Sequence, residues 1–124
     1  MENNFVYRKD SNQDHTVFAC SGAADLGQAS DLVARELHKN KVRNMKCLAF
    51  VSAGITDMID SVRDSNMLVN DGCPLDCGKK TFEKNGLNNF THLRLTDLGY
   101  EKGKTPPTPD VIKEMYKQSV LLAN

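Results

Sequence analysis

The chain has no tryptophan, no excess charge of either sign and no long apolar run. Sixteen Lys and Arg oppose sixteen Asp and Glu, so the formal net charge is zero. A protein that neutralises nucleic-acid phosphates is normally basic, and that class loses support. The longest nearly unbroken apolar stretch, Cys47 to Val51, is far short of the ~20 residues that span a bilayer, so no membrane partner is expected. The first ten residues, Met1 to Asp10, lack the apolar core of a secretory signal, and the expected location is cytoplasmic. Glycine and proline are also scarce, at eight and four of 124 residues, which argues against a low-complexity or disordered chain. What is present is globular composition, 40% hydrophobic and 26% charged. The length suits one domain over residues 1–124, able to bury a core without disulfides.

Strand and helix signals alternate. Thr16 to Cys20 is short and apolar and is ended by Ser21-Gly22, which predicts a strand. Phe5-Val6-Tyr7 reads as an edge strand before it, with a turn over 10–14. Asp25 reads as an N-cap with Gln28 three residues on. The helix that follows runs from about 26 to 39, with Leu26, Ala29, Val33 and Leu37 on one face. Asn66 to Asn70 predicts a strand closed by Asp71-Gly72. A helix over about 74–85 follows, with Pro74 in its first turn and Asn85-Gly86 at its end. Phe90 to Leu95 reads as a strand with Thr91, Leu93 and Leu95 on one face and Phe90, His92 and Arg94 on the other. After a loop over 99–107, Thr108-Pro109-Asp110 starts a last helix, with Ile112, Met115, Tyr116 and Ser119 facing inward. The fold class is α/β: one three-layer domain with a mostly parallel sheet of about four strands flanked by helices. Sites in such folds form at the carboxyl ends of strands.

Four cysteines, Cys20, Cys47, Cys73 and Cys77, stand out. In a reducing compartment a disulfide framework is disfavoured, and metal binding or thiol chemistry is the better reading. Cys73 and Cys77 form a C-x3-C, a spacing that belongs to no common zinc finger. Cys20 and Cys73 fall at strand ends, and Cys77 lies one helical turn beyond Cys73, so three thiols are expected on one edge. Cys47 has two readings. If Cys47 to Ser52 is a strand, Cys47 begins it at the far edge. If Leu48, Val51, Ile55, Met58, Ile59 and Val62 form a helical series, Lys41 to Lys46 is the strand and Cys47 joins the other thiols.

The run Asp71-Gly72-Cys73-Pro74-Leu75-Asp76-Cys77-Gly78-Lys79-Lys80 resembles the signature of the DGC-domain family, for which zinc binding through cysteines is proposed. Cys20-Ser21-Gly22-Ala23-Ala24 with Gly27 resembles its first cysteine motif, and Met45-Lys46-Cys47-Leu48-Ala49 its second. Thr96-Asp97-Leu98-Gly99 with Lys102 resembles its downstream segment. The resemblance covers roughly residues 16–104 and favours the helical reading after Cys47. It implies a Zn²⁺ ion held by Cys20, Cys47, Cys73 and Cys77, and no established enzymatic activity.

Zinc takes thiolates at about 2.3 Å, and the following helix N-terminus, with Lys79 and Lys80, would offset their charge. Four ligands make a closed site, and three leave a position open. The main rival is a dithiol switch of Cys73 and Cys77, with Cys20. An iron–sulfur cluster is a third reading. A phosphatase reading of the Cys20 loop fails for want of an arginine to grip phosphate. Asp71 and Gly72 are expected to shape the strand-to-helix turn, Gly72 through backbone freedom. His15, His38 and His92 are expected at the surface, and Lys102-Gly103-Lys104 in a solvated loop.

Overall fold

In the computed structural model, which describes residues 13–123, four segments pair as strands: β1 (His15–Ala19), β2 (Asn44–Lys46), β3 (Asn66–Asp71) and β4 (Phe90–Arg94). All are parallel, in the order β2-β1-β3-β4. The edge strand expected at Phe5-Val6-Tyr7 lies outside the described residues. Five α-helices complete the fold: α1 (Asp25–Lys39), α2 (Leu48–Ser52), α3 (Thr56–Val62), α4 (Cys77–Lys84) and α5 (Pro109–Ala123). Among the described residues no helix is long and apolar enough to cross a membrane.

The strand order reverses the direction of travel once. The chain leaves β1 for β2, then returns past β1 to β3 and continues to β4. Parallel connections are right-handed, so a reversal moves the connecting helices to the other face. The core shows that swap. Val17, Ala19, Leu68, Leu93 and Leu95 lie under α1 and α5. Phe18, Met67 and Val69 lie under α2, α3 and α4, with Phe18 edge-on to Phe50 at 6.0 Å and to Phe82 at 4.9 Å. All of β1 is buried, as expected for a parallel strand covered on both faces.

Several expected boundaries move. The segment after Cys47 is helical, and the alternative strand over 47–52 does not form. It is two helices rather than one, because Gly54 adopts φ +69. Its N–H meets the Val51 carbonyl at 3.0 Å and the Ile55 N–H meets that of Phe50 at 3.1 Å, a Schellman stop. The strand expected over 41–46 shortens to Asn44–Lys46 because Lys41, at φ +61, still belongs to the close of α1. Its scarcity of apolar residues is offset by Arg43, whose buried guanidinium donates to the Thr16 and Asn66 carbonyls at 2.9 Å each. The helix expected from 74 starts at Cys77. Cys73 to Asp76 is instead a β-turn with Pro74 at its second position, closed by the Asp76 N–H on the Cys73 carbonyl at 3.1 Å. Strand β4 stops at Arg94, and Leu95–Leu98 is a 3₁₀ turn.

Candidate functional site

Ligands in open α/β sheets bind where the strand order reverses, because the loops leaving the two central strands diverge there. In this sheet that crevice lies between β1 and β3. Cys20 leaves β1 on one side, and Asp71-Gly72-Cys73 leaves β3 on the other. They enclose a cleft of about 200 Å³ lined by Cys20, Gly72, Cys73, Leu75, Cys77 and Lys102, among others. Gly72 keeps its walls close. A Cβ there would stand 2.7 Å from the Leu26 carbonyl oxygen, and its φ is not positive. The glycine is required by the close approach of α1, not by the backbone freedom expected from sequence. Gly78 is constrained in the same way, with a Cβ 2.7 Å from Val69 Cγ1.

Asp71 organises the floor of the cleft. Its carboxylate is buried and accepts the Gly78 N–H at 2.8 Å and the Lys79 N–H at 3.0 Å, so it caps α4 from the end of β3. It also accepts His92 Nε2–H at 2.8 Å. Asp76, at the formal start of α4 with φ +54, makes no cap bond. It binds Arg94 bidentately at 2.6 and 2.8 Å, and that pairing holds its carboxyl below the usual range. Arg94 also reaches Asp97 at 3.2 Å. The surface expectation therefore fails for His92, which is largely buried beside Asp71, and for His15, which is 6% exposed. His38 is exposed, with Nδ1 accepting the Met45 N–H at 3.0 Å. Ligand atoms of Asp71, Asp76 and His92 lie within 4.8 Å of one another. Each carboxylate is already engaged by backbone N–H groups or by Arg94, so the cluster braces the turn. Sequence spacing missed His92, although its place on the Phe90–His92–Arg94 face of β4 pointed toward α4.

Above this floor Cys20, Cys73 and Cys77 line the same cleft, with Cys77 and Cys73 near enough to act on the Cys20 thiol electrostatically. Partial burial, the Asp71 charge and the two neighbouring thiols push the Cys20 thiol from its ordinary 9.0 up to about 11. Among the described residues no three thiol sulfurs all fall within 4.8 Å of one another. The roughly 4 Å separations of a tetrahedral zinc site would require side-chain rotation. Cys73 and Cys77 flank a turn rather than sharing a helical face.

Cys47 occupies the same edge of the sheet but faces the other way. The β1–β2 register pairs Phe18 with Lys46. The next pair in line is Ala19 and Cys47, and Cys47 keeps extended backbone, φ −84 and ψ 124. Paired residues of parallel strands share a face, so Cys47 lies on the α1 side with Ala19, and Cys20 on the α4 side. Cys47 is exposed in a second cleft of about 800 Å³, with Ala19, Arg35 and Lys46. Arg35 is near enough for Cys47 to act on it electrostatically.

The loop over 99–108 closes the thiol cleft from the side. Asp25 is the first helical residue of α1 rather than its cap, which is Ala24. Its carboxylate reaches across the chain to the Gly103 and Thr105 N–H groups, each at 2.9 Å, and these bonds lower its pKa. Lys102 is thereby carried to the cleft wall.

Comparison with known proteins gives two matches. The family model described as DGC domain matches residues 16–119. Anaerobic and virulence modulator AnvM of Pseudomonas aeruginosa is 30% identical over 87 residues. That alignment takes in 69% of this chain and 66% of the relative, just under two thirds of its length. No solved structure matches.

Proposed function

The chain belongs to the DGC-domain family, and from that premise we propose that it binds Zn²⁺ in the cytoplasm through Cys20, Cys73 and Cys77. The observation that carries the reading is the convergence of Cys20, Cys73 and Cys77 on one cleft at the β1–β3 crevice. Three thiols form a donor set that suits a soft ion. Metal-free, they make a poor cluster. Burial and mutual repulsion keep the Cys20 thiol protonated near neutral pH, and a divalent cation reverses that penalty by pairing with the thiolates. The ion supplies positive charge and Lewis acidity; the chain supplies a rigid seat. Asp71 fixes the start of α4, so Cys77 is held at the wall of the cleft, and Arg94 fixes the turn that carries Cys73.

Cys47 stands outside this ligand set, on the opposite face of the sheet. The relative's name describes a modulator, which agrees with a protein whose bound state is read by a partner. The test is zinc content of the purified protein, with affinity measured against a chromophoric chelator. One ion per chain is expected. A protein that neither carries nor takes up zinc contradicts the proposal.

The shared cleft of Cys20 and Cys77 also favours a second reading, a thiol switch. Those two thiols would give two electrons and two protons to a small disulfide oxidant and join as Cys20–Cys77. This differs from a Cys73–Cys77 pair. Counting thiols on metal-free protein before and after mild oxidation decides it: reversible loss of two supports the switch, and four unchanged thiols remove it.

A further inference from the structure

The carboxyl end of β3 carries a polar side chain that no protein group satisfies. Asn70 is fully buried, and among the described residues neither its Nδ2 nor its Oδ1 has a hydrogen-bond partner. The register pairs it with Ala19 of β1 and Leu93 of β4. Both belong to the core beneath α1 and α5, so the amide faces that layer. These two neighbours offer no polar side chain. Ser30, the buried hydroxyl of α1, is turned to the carbonyls of Cys20 and Gly27. Burying an amide with both ends unmet is costly, and native proteins meet such groups with protein or with ordered water. Thr96 Oγ1 is buried and unmatched as well. Thr96 stands three residues past Leu93, and its N–H donates at 3.2 Å to the carbonyl of Gly72, two residues past Asn70. The two orphaned side chains therefore flank one backbone bond between the ends of β3 and β4.

We propose that Asn70 and Thr96 together bind ordered internal water beneath α1. An uncharged amide and a hydroxyl present donors and acceptors side by side. Water matches both kinds of group, whereas a bare cation or anion matches one. Three polar atoms are also about the number that a buried water engages. Water accepts from the Asn70 Nδ2–H, donates to Oδ1 and joins them to Thr96 Oγ1. It thereby continues the tie between β3 and β4 past the Gly72–Thr96 bond, where the regular ladder has ended at Asp71 and Arg94. Ala19, beside Asn70, takes less room there than a branched side chain would. The site uses no thiol and no metal, so it stands or falls independently of the zinc reading.

Two measurements on the full chain test it. A high-resolution crystal structure is expected to show water density within hydrogen-bond distance of the Asn70 amide and of Thr96 Oγ1. A dry amide, or one bonded directly to another protein group, overturns the inference. Urea unfolding of Asn70→Leu, Thr96→Val and the double variant reads the connection in solution. Water shared by the two side chains makes the substitutions non-additive. The double variant's unfolding constant should then fall short of the product of the two single effects by about fivefold. Single effects that simply multiply show that no water joins the two residues, and overturn the inference too. The crystallographic test needs no variant, so it decides the matter even if Asn70→Leu does not fold.

Discussion

At the crevice between β1 and β3 a thiol at a buried strand end shares a cleft of about 200 Å³ with two others, over a carboxylate with three hydrogen bonds. At the end of β2 a single exposed thiol looks into about 800 Å³ between α1 and α2, beside Arg35 and Lys46. Both places end a parallel strand and begin a turn toward a helix. The difference is topological. The first lies where the strand order reverses and the loops part; the second lies on an edge strand, one register position out of phase with Cys20. A shared sheet edge is not enough to make a shared site, because strand alternation decides which face each thiol takes.

The contrast can be broken by substitution. The largest stability effect is expected from Asp71→Ala, which leaves two N–H groups at the start of α4 and the His92 ring without their acceptor. The expected loss is about 3 kcal/mol in denaturant melts. Asp31→Ala, in the Cys47 cleft, removes only an exposed pair with Arg35 and should stay within about 0.5 kcal/mol. Equal losses would mean that Asp71 braces nothing special.

Gly72→Ala comes next, at about 2 kcal/mol, because its Cβ would collide with the Leu26 carbonyl. A Cβ at Gly22 meets nothing within 4 Å, so Gly22→Ala should be nearly neutral. A tolerated Gly72→Ala would show that the cleft walls are not closely apposed.

Asp76→Asn should cost about 1 kcal/mol at neutral pH. Its effect is pH-dependent with a definite sign. Arg94 lowers the folded pKa of Asp76, so its contribution is present above the usual carboxylate range and lost as pH falls through the lowered value. The variant should therefore differ least from the parent at the acid end, and a gap that widens on acidification would contradict the pairing.

The smallest structural perturbation is alkylation of the metal-free protein, followed thiol by thiol by mass spectrometry. Exposed Cys47 and Cys77 should react first at pH 7.5, and Cys20 slowly, its rate rising about tenfold per pH unit toward about 11. Between its ordinary 9.0 and about 11, unfolded chains shed the Cys20 proton and folded ones keep it. Metal-free stability should thus fall as pH rises through that window. Rapid labelling of Cys20 at pH 7.5 would contradict its burial among like charges.

Much of this arrangement is legible in the sequence where a local rule acts alone. The parallel α/β class, the Asn85-Gly86 stop of α4 and the two faces of Phe90 to Arg94 follow from periodicity and turn chemistry. The family signature marks the cleft, and the family match over 16–119 agrees with it. What stays hidden depends on distant segments meeting. Asp25 resembles a helix cap, yet its carboxylate serves a loop some eighty positions away. His92 has no ligand spacing in the chain, yet the β3–β4 register sets it beside Asp71. Cys47 sits in a recognisable motif, and only the β1–β2 register shows that it faces away from Cys20.

Zinc affinity across the four single Cys→Ser variants tests the central claim most directly. Cys20→Ser, Cys73→Ser and Cys77→Ser should each weaken binding by more than about a hundredfold, beyond the loss of an outer-shell partner, and Cys47→Ser should match the parent within about twofold. A Cys47→Ser variant that loses affinity as the other three do would contradict a three-thiolate site at the β1–β3 crevice.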